Sequence, residues 1–164
     1  MWSGANSFGA PGNGLASFKL KITNPGTYRF IWRSAVKEGT NGTESNDSWL
    51  RFPDADDFYG EKENGSIVYP AGLGKTPIPN GASTAGWFKI YRSGTDLDFK
   101  WQSSTSDNDA HQIYVVFSAP GIYNTAVSGR SFGQAIDKFI LFKETEYTLN
   151  EATGATTFSE ITCD

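Results

Sequence analysis

Between clusters of Gly, Pro, Asn and Asp, the apolar positions of this chain alternate with polar ones or gather in short β-branched and aromatic runs. The three-and-four spacing of an amphipathic helix is hard to find. The pattern predicts eight strands, over residues 17–23, 27–36, 48–52, 87–91, 97–102, 112–118, 122–128 and 135–143. So many short strands in one chain point to an all-β fold, a β-sandwich.

Turn chemistry supports the count. Asn24-Pro25-Gly26 and Ala119-Pro120-Gly121 each sit between two strand-like runs, where Pro presets φ and Gly accepts a positive φ, so both read as hairpin turns. Residues 53–86 break the rhythm: they carry Asp54, Asp56 and Asp57, several glycines, Pro70, Pro77 and Pro79, and only residues 66–69 resemble a strand. That stretch reads as a long functional or disordered loop. Apolar alternation stops after Lys143, which divides the chain into a sandwich domain, 1–143, and a C-terminal edge segment or linker, 144–164.

Composition narrows the function classes. At 164 residues the chain fits one domain, and Trp, Tyr and Phe make up 15% of it, so the core is expected to be aromatic. With 14 Lys and Arg against 18 Asp and Glu the net charge is −4, which excludes a general attraction to nucleic acid or to an anionic membrane. No apolar run is long enough to span a bilayer. The opening residues lack the basic start and apolar stretch of a signal peptide, which fits an excised domain as well as a cytoplasmic protein. The one cysteine, Cys163, has no partner for a disulfide within the chain.

Three polar loops interrupt the strands: 37–47, ending in Ser45-Asn46-Asp47; 103–111, containing Ser106-Asp107-Asn108-Asp109; and 128–134, Ser-Gly-Arg-Ser-Phe-Gly-Gln around Arg130. If the strands before and after Pro120-Gly121 run antiparallel, the second and third loops share one edge. A jelly-roll course brings the first beside them. Asn46, Asp47, Asp107, Asn108, Asp109, His111 and Arg130 then converge, with Arg33 close behind, and their paired donors and acceptors match adjacent sugar hydroxyls. Singly, these Asn and Asp residues are ordinary turn formers, and Arg130 could pin two loops together through Asp47 or Asp109. Trp49, Tyr59 and Trp87 are candidate stacking platforms, with Phe58 and Tyr69 nearby, whereas Trp32 and Trp101 belong to the core.

Other chemistries find little support. His111 is the only histidine and no Gly-x-Ser-x-Gly elbow occurs, so no hydrolytic triad is indicated. One His and one remote Cys fall short of a zinc site. Calcium is the one cofactor worth weighing, since Asp107-Asn108-Asp109 and the run Asp54, Asp56, Asp57 offer oxygen ligands, though neither has EF-hand spacing. Asp137 interrupts the apolar run 135–140 and needs a cation or hydrogen bonds, from Arg130, loop backbone or an ion.

The stretches Asn24-Pro25-Gly26-Thr27-Tyr28 through Trp32-Arg33-Ser34, Asn46-Asp47-Ser48-Trp49-Leu50, and Pro120-Gly121-Ile122-Tyr123 through Ser128-Gly129-Arg130-Ser131 to Ile136-Asp137-Lys138-Phe139 resemble the β-sandwich modules of the carbohydrate-binding and malectin-like superfamily. In particular, residues 15–143 are similar to modules appended to secreted polysaccharide-degrading enzymes of marine bacteria. The resemblance implies a jelly roll whose loops at one end hold a glycan by aromatic stacking and Asn or Arg hydrogen bonds, often with a structural calcium. The chain departs from it in lacking an acidic opening strand and in the length of 53–86. The expectation is a non-catalytic, secreted or cell-surface module that binds an algal or plant polysaccharide for a larger protein. The alternative is a structural or adhesive domain packing on a neighbouring domain or surface partner.

Overall fold

The computed structural model describes residues 4–36, 45–82, 85–94, 98–106 and 108–160. Asp107, Cys163, residues 37–44 of the first polar loop and Leu97 lie outside them. The elements in chain order are β1 (Ala16–Ile22), β2 (Gly26–Val36), β3 (Asp47–Arg51), β4 (Asp57–Glu61), β5 (Ile67–Val68), β6 (Phe88–Tyr91), β7 (Lys100–Trp101), β8 (Ser104–Thr105), β9 (Gln112–Phe117), β10 (Gly121–Gly129), β11 (Gln134–Phe142) and α1 (Leu149–Thr153).

Two antiparallel sheets pack face to face. Sheet one has the order β1-β10-β3-β6-β8 and sheet two the order β11-β2-β9-β4-β5, with β7 paired to the far end of β2. Apart from the β4–β5 hairpin, each main strand is followed by one in the opposite sheet, so the chain wraps around the core as a jelly roll does. The two Pro-Gly turns expected to close hairpins therefore do something else: Asn24-Pro25-Gly26 carries β1 of sheet one into β2 of sheet two, and Ala119-Pro120-Gly121 carries β9 back to β10. Their sharp reversal is as expected; the partner strand lies across the core.

Side-chain parity explains the core. Phe30 and Trp32 point inward from β2, Ile113, Val115 and Phe117 from β9, Leu50 from β3 and Phe88 and Ile90 from β6, and all are buried in one cluster. Edge-to-face aromatic contacts tie the sheets together, with Phe52 to Phe58 at 5.1 Å and Phe58 to Phe88 at 4.9 Å. Phe58 is thus a core residue on β4, within the stretch read from sequence as a loop. The strand escaped notice because its next inward position is Gly60, which looks like a turn residue. A Cβ there would lie 2.9 Å from His111 Cβ and from Thr105 Cγ2 and 3.0 Å from Val68 Cγ2, so only glycine fits. Trp32 is fully buried as expected, whereas Trp101 is half-buried on the short β7.

The C-terminal stretch also holds structure. Thr148 and Glu151 form a reciprocal capping box that starts α1, and Lys138 Nζ lies 4.7 Å from the Phe158 ring beyond the helix. At the other terminus, residues 4–15 lie along the outer face of sheet one. Ser7 N–H donates to Arg130 O, Gly129 N–H to Asn13 O, and Gly12 N–H to Ser128 Oγ. None of the described helices is long and apolar enough to cross a membrane.

Candidate functional site

Strand register places the described parts of the three polar loops at one end of the sandwich. Asp47 pairs with Tyr91, Ser48 with Gly129, Tyr91 with Ser104, and Glu61 with Gln112, so β3, β8, β9, β10 and β11 begin or finish there. Their side chains, however, form separate networks instead of one open rim.

The first network is internal. Asn46 is fully buried; its Nδ2 donates to Arg92 O at 2.7 Å, and its own carbonyl accepts from Gln134 Nε2 at 2.9 Å. Asp47, 3% exposed, accepts from Arg130 Nη1 and from Ser131 Oγ, and its carbonyl accepts from Ser131 N–H. The Arg130 guanidinium is held between the Phe8 and Trp49 rings, 5.0 and 5.1 Å from their centroids. Trp49 and Trp87, expected as stacking platforms, are buried with Ala126 in a small second core on the outer face of sheet one. Trp49 Nε1 donates to Ser7 O at 3.0 Å, and the Arg51 guanidinium lies 4.7 Å from the Trp87 ring. These five residues hold loops, strands and the N-terminal segment together, and their ligand-facing roles give way to that structural one.

The second network surrounds His111, also fully buried. Its Nδ1 lies 2.7 Å from Asp109 O, and its Nε2 3.1 Å from Ser66 Oγ. Asp109 is exposed and paired with Lys62, which holds its carboxyl below the ordinary range; Asn108 is exposed beside it. Arg33 faces outward from β2 and pairs with Asp137, the extra residue at a bulge in β11, so Asp137 takes its cation from Arg33 and not from Arg130. The acidic run of the 53–86 stretch does not converge. Asp54 accepts from Asn124 N–H, Asp56 from Ser118 N–H and Oγ, and Asp57 pairs with Lys75. Among the described residues, no three His, Cys, Asp or Glu groups come together to hold a metal.

The one predicted platform that remains on an open surface is Tyr59, and it stands on the outer face of sheet two. Register sets Tyr59 beside Tyr114 and Tyr114 beside Arg29 across three strands. The two rings stack with centroids 5.6 Å apart and planes at 21°, and Tyr69 lies 6.4 Å beyond. An open groove of about 430 Å³ follows this row, lined also by Glu61, Lys62, Glu63, Gln112 and Glu144, and a second depression of about 350 Å³ continues it past Asn64 and Ala110. Arg29 Nη1 binds Glu144 Oε1 at 2.5 Å, while the Tyr114 hydroxyl donates to Glu144 Oε2 at 2.8 Å and lies 2.9 Å from Gln112 Oε1. The Glu61 and Glu63 side chains, by contrast, carry no hydrogen-bond or ion-pair partner among the described residues.

Electrostatics keeps the phenols protonated. Burial, then the Glu144 hydrogen bond and charge, push the Tyr114 hydroxyl well above the usual phenol range, and burial followed by Glu61 and Asp57 raises that of Tyr59. Both remain donors at neutral pH. The groove therefore offers aromatic surface, hydroxyl donors, an amide and uncommitted carboxylate acceptors on one rigid sheet. Tyr114, Arg29, Glu61, Gln112 and Glu144 were missed from sequence. The available signal was parity: in Gln112–Phe117 the residues Gln112 and Tyr114 alternate with buried Ile113, Val115 and Phe117.

Comparison of the chain with known protein families, with curated proteins and with solved structures finds no match. The β-sandwich is established by the strands themselves, and the functional reading rests on the groove.

Proposed function

We propose that this domain is a glycan-binding module, and that its site is the groove on the outer face of sheet two. The observation that carries the reading is the stacked Tyr59–Tyr114 pair flanked by the unpaired carboxylates Glu61 and Glu63. A pyranose presents an apolar C–H face and vicinal hydroxyls. Tyrosine rings contact the former, and carboxylates and amides accept or donate to the latter with charge-assisted strength. Because the acidic groups outnumber the uncommitted cations in the groove, the ligand is a neutral polysaccharide; a sulfated or uronate chain would be repelled by Glu61 and Glu63.

In this reading the module sits in a secreted or cell-surface protein, keeps that protein near its polysaccharide, and leaves glycosidic bonds intact. Affinity electrophoresis of the domain through gels containing neutral or anionic algal and plant polysaccharides, with and without calcium, tests it. Retardation by at least one neutral polysaccharide and by no anionic one is expected. Free migration through every gel would overturn the proposal.

A further inference from the structure

At the far end of the same groove the structure builds a constellation that sugar binding does not use. His111 is 0% exposed, yet its ring is fixed from both sides. Asp109 O, 2.7 Å from Nδ1, can only accept, so Nδ1 carries the proton and donates it there, with Asp109 Oδ2 3.8 Å away. Nε2 is then left with a lone pair turned toward Ser66 Oγ at 3.1 Å. Ser66 is exposed on the turn joining β4 to β5, and its N–H donates to Asn64, which with Lys62 and Ala110 lines the depression of about 350 Å³. A reachable hydroxyl, a base within hydrogen-bond distance and a group orienting that base are the three parts of an activated nucleophile.

We propose that Ser66 is a nucleophile activated by His111, and that its substrate is a short acyl ester carried on a sugar in the groove; the sugar part of this assignment rests on the glycan reading above. Ser66 Oγ bonds to the acyl carbon while its proton passes to His111 Nε2. The acyl–O bond then breaks, and the same proton goes to the departing sugar oxygen. Water next attacks the acyl-serine, gives a proton to Nε2, and releases the carboxylic acid as the proton returns to Ser66 Oγ. Backbone amides do not supply the oxyanion donors, because Ser66 N–H is bound to Asn64 Oδ1 and Gly65 N–H to Lys62 O. Lys62 and Asn64 line the same depression, and their ammonium and side-chain amide are assigned that part, the ammonium being shared with Asp109.

A fluorophosphonate probe, which bonds to an activated serine with loss of fluoride, tests the nucleophile on the full chain by intact mass and peptide mapping. One adduct on Ser66 is expected, absent from Ser66→Ala and formed about a hundredfold more slowly in His111→Gln. No adduct on the native protein, or the same adduct in Ser66→Ala, would overturn the proposal. Should circular dichroism show that His111→Gln does not fold, Ser66→Ala decides alone, since it removes one hydroxyl from an exposed turn and takes a partner from His111 Nε2 alone. The probe contains no sugar, so the two readings fail separately. Labelling of a protein that no polysaccharide retards would remove the glycan reading and keep the nucleophile. Retardation without a Ser66 adduct would do the reverse.

Discussion

Removing the Asp47 carboxylate should show how much of the polar loop cluster is structural. Asp47 has a side chain 4% exposed and pairs with Arg130, itself only 14% exposed, while Lys89 Nζ, 11% exposed, sits 3.9 Å away. Asp47→Ala leaves these cations facing an empty position and strips Ser131 Oγ of its acceptor. Breaking such a pair by deleting one partner costs about 3–5 kcal/mol, because the remaining charge stays desolvated. Arg130 keeps its two aromatic neighbours, which places the expected loss near about 3 kcal/mol. For a chain of this size that corresponds to a fall in Tm of roughly 6–12 °C. Urea unfolding followed by tryptophan fluorescence measures it, and the pair variant Asp47→Leu with Arg130→Met should recover most of the loss, since the cation bonded directly to Asp47 is removed with it and only the more distant Lys89 still faces the position. A change below about 1 kcal/mol in Asp47→Ala would refute the argument and return Asp47 to the class of exposed loop acids.

Two further outcomes follow from other parts of the fold. Gly60→Ala should cost roughly 1–3 kcal/mol by overpacking against His111, Thr105 and Val68, none of which is the loose end of a long side chain; an unchanged urea midpoint would contradict the packing. In acid, Asp56, Asp109 and Asp137 are each held below the ordinary 3.8, by Ser118 N–H and hydroxyl, by Lys62 and by Arg33 respectively. Since their folded pKa values are depressed, the stability they contribute is complete above about pH 4 and is lost as pH falls through the folded values. Asp56→Asn should flatten part of the decline measured by urea unfolding between roughly pH 4 and pH 2, and an identical slope would contradict it.

How far the sequence could be read depended on whether a residue's role was local. Where apolar positions alternated, as in Gln112–Phe117 and Gln134–Phe142, strand placement was accurate to a residue or two. Asp57–Glu61 was hidden because its inward Gly60 serves a close approach between sheets, a reason found in distant residues and not in its neighbours. The Pro-Gly turns announced reversal, but the choice between hairpin and sheet crossing is set by which strands later pair. The polar loops do meet at one end, yet the buried acceptors there include backbone carbonyls such as Arg92 O and Asn46 O, and no residue type in the sequence marks those. In the groove, Tyr59 was visible as an aromatic among turn residues, whereas Glu144 lies just past a strand and gains its place only because β11 brings it near Arg29 and Tyr114.

The most direct test of the groove is the affinity of Tyr59→Ala for whichever neutral polysaccharide retards the native domain, measured by calorimetric titration with a soluble oligosaccharide fragment. Tyr59 is half-buried on a strand whose core residue is Phe58, so the variant should stay folded while losing about 1.4 kcal/mol or more of binding, a tenfold or greater weakening. Equal affinity of the native and variant proteins, both folded by circular dichroism, would mean that the sugar is held elsewhere.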